Sequence, residues 1–540
     1  MKIFGHNKAY SKETFWSWAV ILIIVCVTAC IRIHLLQVPL ERDEGEYAYI
    51  GQLLLQGIPP FAEAYSMKMP GIYAAYAVIL TIFGKTHVGI HLGLMFINLA
   101  SIILLFLLGR KLFDSFTGIV SAGSFAILSL NPEVQGFFAH AEHYVIVFAL
   151  AGILLLIYAI EYERVILYLL SGLLLGMAFM MKQHGAAFIL FCASYLLYCQ
   201  IIRRPIEWSV SASRLLAFSF GVLIPFGFTC LALWWAGTFE KFWFWTFTYA
   251  REYVSTVPLS IGLILFKKQL FRIANLSILL CGITGIGFFA LLWDKKARSH
   301  GFFVISFLLF SFLSLCPGLY FRAHYFVLLL PSVSLLAGIA VSSMGRVFNS
   351  KVFKKLAICL TVIVFCFSIY QLKTFLFQLN PTMISRVEYG PNPFPESLEI
   401  ARYIKKHSSQ NDRIAVIGSE PQIYFYSDRR AATKYIYTYM LVEEHKYALG
   451  MQQEMIREIE SAKPKFLIYV NISLSWLMRP NAEKLILNWF EEYQQAYYDL
   501  VGIIDLVSPE TTVYRWDEDI RGYKPSSKFW ISIHKRKLID

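Results

Sequence analysis

Residues 16–36 read WSWAVILIIVCVTACIRIHLL, and residues 42–49, just beyond them, read Arg-Asp-Glu-Gly-Glu-Tyr-Ala-Tyr. The first stretch is long and apolar enough to cross a bilayer as a helix. The second then sets three carboxylates, Asp43, Glu44 and Glu46, at the mouth of that helix. Charge beside a bilayer must stay hydrated or find a partner. The stretch therefore reads as the acidic end of a site at the outer membrane face, with a solvated charge run as the plainer alternative.

The rest of the chain agrees with a membrane setting. Of its 540 residues, 57% are hydrophobic and 16% charged, and its mean hydropathy is +0.55. Soluble domains carry about 25% charge. Residues 16–36 are too long for the core of a secretory signal, and no small-residue cleavage site follows them, so they count as the first span. The nine cysteines lie in or beside apolar runs and read as small buried hydrophobes. The net charge of +13 does not call for nucleic acid, because much of it sits in short loops where lysine and arginine hold the cytoplasmic side.

The apolar runs predict about eleven spans, at residues 14–37, 88–109, 116–131, 144–160, 165–181, 185–202, 213–236, 273–293, 301–317, 325–342 and 355–372. The short basic N-terminus and the pairs Arg110-Lys111 and Arg203-Arg204 fall inside, and the odd count puts the C-terminus outside. Residues 38–86 form a long outer segment whose apolar part, 71–84, is too short to cross. Residues 237–272, with Trp243, Phe244, Trp245, Phe247 and Tyr249, are assigned to the outer interface.

From about residue 380 charge rises and apolar runs shorten. Residues 414–418, 465–470 and 498–506 read as buried strands, and 395–406, 443–462 and 481–495 as helices between them. The expected architecture is a polytopic α-helical membrane domain, 1–379, followed by an extracytoplasmic α/β domain, 380–540. The latter has no glycine-rich phosphate loop, which places the chemistry in the membrane part.

Under that topology a small polar set converges on the outer face: Asp43, Glu44, Glu46, Glu63, Lys68, His140, Glu142, His143, Lys182, Gln183, His184, Arg251, Glu252, Arg322 and His324. Asp43 and Glu142 come from separate loops and are flanked by Lys68, Lys182 and Arg322. Such a set suits transfer of a group from a lipid phosphate to a hydroxyl. A carboxylate accepts the proton of the attacking hydroxyl, and cations hold the phosphate and stabilise its developing charge. Plainer readings stand beside these: Lys182 as a snorkelling helix end, His140 and His143 as interfacial groups, Arg251-Glu252 as a surface ion pair, and His87 and His91 as packing inside the bundle.

Residues 42–49, with Gly-Gln-Leu-Leu-Leu-Gln-Gly at 51–57 and Lys-Met-Pro-Gly-Ile-Tyr at 68–73, resemble the first outer loop of membrane glycosyltransferases of the C-type fold, in particular the protein O-mannosyltransferase-like and aminoarabinose-transferase-like groups of glycosyltransferase family 39. Where that family has Lys-Pro-Pro, this chain has Lys68-Met69-Pro70. Ala141-Glu142-His143-Tyr144 resembles the family's second acidic site, residues 321–326 a late outer-loop motif, and residues 418–424 a motif in the soluble tail.

The resemblance implies a polyprenyl-phosphate sugar donor, a hexose or pentose transferred to a lipid, protein or glycan hydroxyl, and a single inverting displacement. It implies Asp43 as base and Glu142 as its partner. Glu44, Lys68, Lys182, Arg322 and His324 are the expected substrate contacts. Some members use a divalent ion and others do not; His140, Glu142 and His143 are the candidate ligands here. The expected place is a prokaryotic inner membrane, with the C-terminal domain outside. A lipid or polysaccharide transporter is one rival; it calls for mid-membrane charges and matched broken helices. The other is a membrane scaffold with a partner-binding outer domain.

Overall fold

The computed structural model describes residues 12–202, 207–347 and 351–537. Most of the basic N-terminus and Arg203-Arg204 lie outside the described residues. Among the described residues, six helices are long and apolar enough to cross a membrane: Thr14–Leu35, His87–Leu112, Ala141–Tyr162, Gln183–Ile202, Trp208–Trp235 and Ala323–Val347. Along Trp208–Trp235, Phe220, Phe228, Leu231 and Trp235 are exposed, a surface that lipid and not water would cover. The other five expected spans form apolar helices of 10–17 residues, Ser115–Leu128, Val165–Met181, Ile278–Trp293, Gly301–Leu313 and Lys355–Gln371. These fall short of the ~20 residues that an untilted span needs, so helix length alone does not yield eleven.

The segment 237–272 departs most from expectation. Leu259–Leu276 is one helix, broken from Ile278–Trp293 at Ser277, so the break lies inside the run assigned to a single span. The aromatic cluster before it is not uniformly interfacial. Trp243 is exposed, but Trp245 and Tyr249 are buried, and Trp245 stacks on Tyr65 with ring centroids 4.9 Å apart.

The chain forms two compact units. The first comprises Met1–Leu35, Leu94–Phe228 and Val254–Gln378; the second comprises Leu36–Gly93, Thr229–Tyr253 and Leu379–Asp540. In the first unit, Ala141–Tyr162 and Val165–Met181 form a helical hairpin. It turns at Glu163, which takes left-handed φ of 56°, and Ser171 Oγ donates to the Gly152 carbonyl at 2.8 Å. Val165–Met181 also lies backbone-to-backbone against Trp208–Trp235. A Cβ on Gly172 would sit 2.1 Å from the Phe218 oxygen, one on Gly176 2.4 Å from the Val222 oxygen, and one on Gly221 2.1 Å from the Leu169 oxygen. Small residues spaced i, i+4 allow this approach, which packs helices without a hydrophobic driving force. Arg346 joins Asp114, the N-cap of Ser115–Leu128, at 2.7 Å to Asp294 at 2.5 Å.

The second unit is built on a six-stranded sheet of order β2-β1-β3-β6-β4-β5. The strands are β1 (Arg413–Ile417), β2 (Arg430–Ala431), β3 (Phe466–Asn471), β4 (Tyr498–Leu506), β5 (Thr512–Trp516) and β6 (Trp530–Arg536). β1 pairs parallel with β2 and β3, and β6 runs antiparallel between β3 and β4. The three expected strands are β1, β3 and β4. Helices Phe394–Lys406, Ala448–Ala462 and Leu485–Tyr497 fall where helices were expected, and each buries one amphipathic face.

The segment 38–86 also belongs to this unit, as helices Arg42–Leu55 and Pro70–Phe83. Gly51 lets them touch, since a Cβ there would lie 3.1 Å from the Ala77 nitrogen; a Cβ on Gly45 would lie 2.6 Å from the Gln422 nitrogen. Arg42 locks the first helix down. Its guanidinium donates to the Ser419 carbonyl, to Asn392 and Glu420 at 2.8 Å each, and to Tyr439 at 2.6 Å. Glu420 is fully buried and also accepts from Gln422 at 2.6 Å.

Breaking one side of a buried ion pair strands the other charge. Arg42→Met is expected to lower stability by about 3–5 kcal/mol, and adding Glu420→Leu to recover much of that loss. Denaturant unfolding of the purified protein, followed by tryptophan fluorescence, reads both. An Arg42→Met protein as stable as the parent would contradict this role.

Candidate functional site

Four carboxylates crowd the start of the helix Arg42–Leu55, and the fold treats them differently. Glu41 is the N-cap. Its side chain accepts from the Glu44 amide at 2.8 Å, and Glu44 Oε2 accepts from the Glu41 amide at 3.1 Å, a closed capping box. Glu44 Oε1 pairs with His91 Nε2 at 3.0 Å, and His91 Nδ1 meets the Leu36 carbonyl at 3.1 Å. Glu44, an expected substrate contact, is fully buried with both oxygens engaged. His91 hydrogen-bonds inside the fold, as its plainer reading held. Burial, with Asp43 and Glu44 nearby, pushes the Glu41 carboxyl well above the usual range.

Asp43 is the only one of the four that is not buried. Its Oδ2 lies 3.2 Å from Lys68 Nζ, which in turn lies 5.6 Å from the centroid of the Tyr47 ring. Met69, in the family's proline position, has φ −72° and ψ 142°, the backbone a proline would impose. Glu46, one helical turn from Asp43, is buried against Ser66. Burial pushes its carboxyl up to about 7, helped by the Asp43 charge and opposed by Lys68 and the Ser66 hydrogen bond.

In the first unit the hairpin sets the geometry. Glu142 opens its first helix and Lys182 closes its second, so an antiparallel turn returns them to the same end, where they form a buried ion pair. Lys182 Nζ lies 4.4 Å from the Tyr325 ring centroid, within cation–π range. His324 Nε2 is 3.9 Å from Glu142 Oε1, and the His140 and His324 rings stack at 4.1 Å. His184 packs edge-on to Tyr325 at 4.9 Å. Glu142 Oε2 is buried and has no hydrogen-bond partner among the described residues. His143 Nε2 is likewise buried and unsatisfied; the imidazole that meets His324 belongs to His140.

Arg322 caps the 3₁₀ turn Ala323–Leu329 and lies 5.4 Å from the Tyr320 ring centroid. Glu63 faces Arg413 at 3.4 Å, and Glu252 faces Lys446 at 3.7 Å. Asp43 with Lys68, and Glu142 with Lys182, His324 and His140, are thus the groupings the fold assembles. Tyr325 and Ser66 were missed, because a neutral aromatic in an apolar run and a lone serine carry no pattern.

A family model described as dolichyl-phosphate-mannose-protein mannosyltransferase matches residues 67–225, a stretch that contains Lys68, Glu142 and Lys182. The fold is similar to that of ArnT from Cupriavidus metallidurans in the apo state (13% identity, 97% of this chain and 98% of that one covered, TM-score 0.57). It is also similar to ArnT bound to undecaprenyl phosphate (14%, 97% and 98%, 0.55). A third similar structure is the oligosaccharyltransferase AglB from Archaeoglobus fulgidus in complex with an inhibitory peptide and a dolichol-phosphate (11%, 98% and 77%, 0.52). No curated protein matches the chain by sequence. The chain has the C-type fold of these membrane glycosyltransferases and is a multi-pass membrane protein.

Glu46 gives a pH signature. A carboxyl whose folded value is raised from 4.5 to about 7 contributes stability that is present below pH 4.5 and lost as pH rises towards 7. Glu46→Gln is expected to flatten that part of the stability profile, read as thermal midpoints between pH 4 and 8. An unchanged slope would mean that Glu46 is ionised throughout.

Proposed function

We propose that the protein is a membrane glycosyltransferase that moves a sugar from a polyprenyl-phosphate donor to an acceptor hydroxyl at the outer face, by inverting displacement. The observation that carries this reading is the singling out of Asp43. Of four neighbouring carboxylates it alone keeps a path to solvent, with Lys68 at 3.2 Å. A sugar hydroxyl is a weak nucleophile near neutral pH, so Asp43 takes its proton as the hydroxyl oxygen attacks the anomeric carbon. The phosphate leaves as a weak base and needs no proton. Lys68, Lys182 and Arg322 are the cations assigned to it, and Glu142 holds Lys182 in place.

His140 and His324, whose rings stack at 4.1 Å, and Glu142, 3.9 Å from His324, are the residues we assign to a divalent ion, all of them donor types that such an ion takes. Such an ion would supply additional charge to offset the departing phosphate. His143 shares the helix but is not drawn into that set.

For topology, we assign eleven spans to the six long helices and five shorter ones. The N-terminus lies in the cytoplasm, the segment from 380 onward lies outside as an α/β domain, and the membrane is a prokaryotic inner membrane. The basic residues at 110–111 and 295–298 support this assignment.

Asp43→Asn keeps shape but loses the basic oxygen, so turnover should fall about 10²–10⁴-fold while donor binding persists. Glu44→Gln and Glu46→Gln should be milder. Initial rates of purified variants in lipid, with a parallel donor-binding assay, test this. If Asp43→Asn kept parental turnover and Glu142→Gln lost it, Glu142 would be the base.

Arg322→Lys should weaken donor use, because the planar two-pronged contact is lost though the charge stays. Unchanged donor KM and kcat would make Arg322 an interfacial anchor. A reporter active only in the cytoplasm, fused after Asp540, should be silent; a strong signal would overturn the assigned topology.

A further inference from the structure

Beside the last turn of the helix Arg42–Leu55, within the second unit, lies a pocket of about 380 Å³. Four cations line it, Lys85, Arg413, Arg429 and Arg430, against one carboxylate, Asp428. That carboxylate already accepts from Gln52 Nε2. Arg429 is 6% exposed, yet its guanidinium donates only to neutral oxygens: the carbonyls of Lys405, Ser408, Ser427 and Asp428, and the Ser408 hydroxyl. Arg413 and Arg430 share a single carboxylate, Glu63, at 3.4 and 3.6 Å. Lys85 is exposed and has no ion pair or hydrogen bond among the described residues.

Positive charge therefore exceeds its counter-charge in a concave site, which favours an anion there. A second observation concerns the ligand's other face. Gln52 lines the pocket, and its Oε1 is buried without a hydrogen-bond partner among the described residues. A buried acceptor left unpaired is costly, and a hydroxyl donor would satisfy it.

We propose that this pocket binds an anionic sugar residue, one carrying a phosphate or carboxylate, as part of the acceptor. The anion sits among Lys85, Arg413 and Arg430, and a sugar hydroxyl donates to Gln52 Oε1. Only the word acceptor rests on the glycosyl-transfer reading. Gln52 follows Asp43 by nine residues on the same helix, about 14 Å at 1.5 Å per residue. A residue held here therefore reaches the proposed base through further units of the same molecule.

The test is isothermal titration of the full-length protein in phosphatidylcholine nanodiscs with glucose 1-phosphate, glucuronate, glucose and inorganic phosphate. At least one anionic sugar should bind, with glucose and inorganic phosphate at least tenfold weaker. Arg430→Gln combined with Lys85→Gln, both on accessible side chains, should weaken binding tenfold or more without moving the thermal midpoint. No binding by either anionic sugar would overturn the proposal, as would equal binding of inorganic phosphate. Loss of binding in phosphatidylglycerol nanodiscs would assign the pocket to a lipid headgroup and overturn it too. Because no turnover is measured, these failures leave the transferase reading untouched. An Asp43→Asn protein that cannot turn over but still binds glucose 1-phosphate supports the pocket independently.

Discussion

The buried guanidinium of Arg42 fixes where the helix Arg42–Leu55 lies in its unit. It is satisfied by a carbonyl, an amide oxygen, a phenol and the Glu420 carboxylate, all drawn from residues 392–439. Two buried charges gain little net stability over an apolar pair. What they provide is specification: only one placement of the helix Arg42–Leu55 satisfies every partner. The neighbour of Arg42 in sequence is Asp43, so that placement also decides where the proposed base stands. The motif at 418–424, through the Ser419 carbonyl and Glu420, is the other half of this anchor.

The same helix start shows how environment divides chemically similar groups. Glu41, Glu44 and Glu46 are withdrawn from water by a cap, a histidine pair and a serine, respectively. Desolvation favours the neutral form of a carboxyl, and the buried pair of Glu41 and Glu46 follows that rule. Four acids in six residues would repel one another strongly if all were ionised together, and this partition relieves the repulsion while leaving Asp43 accessible.

Much of this was legible in the sequence. β1, β3 and β4 are runs of apolar residues bounded by breakers, and the helices between them carry strong 3.6-residue periodicity. The strands β5 and β6 were not seen, because Thr512–Trp516 and Trp530–Arg536 mix polar and apolar residues and gain their identity from the pairing of β6 between β3 and β4. The aromatic run 243–249 was misread for a related reason: composition cannot tell a ring that faces lipid from Trp245, which faces Tyr65. Hydropathy also could not reveal that the run 273–293 is broken at Ser277. In the site, charged residues were visible as exceptions in an apolar chain. Their pairing was not, since Glu142 meets Lys182 only because a two-residue turn at Glu163 and Arg164 reverses the helix between them.

The glycine contact between Val165–Met181 and Trp208–Trp235 bears on how the protein can change over evolutionary time. Gly172, Gly176 and Gly221 each face a carbonyl at a distance where even a methyl group collides. Relief requires moving a whole helix, and moving it for one position disturbs the other two. No single substitution among the three is a small step, so a change at one of them calls for a compensating change in how the two helices pack. The exposed Leu170, Phe220, Phe228 and Leu231 of the same helices meet no such steric limit.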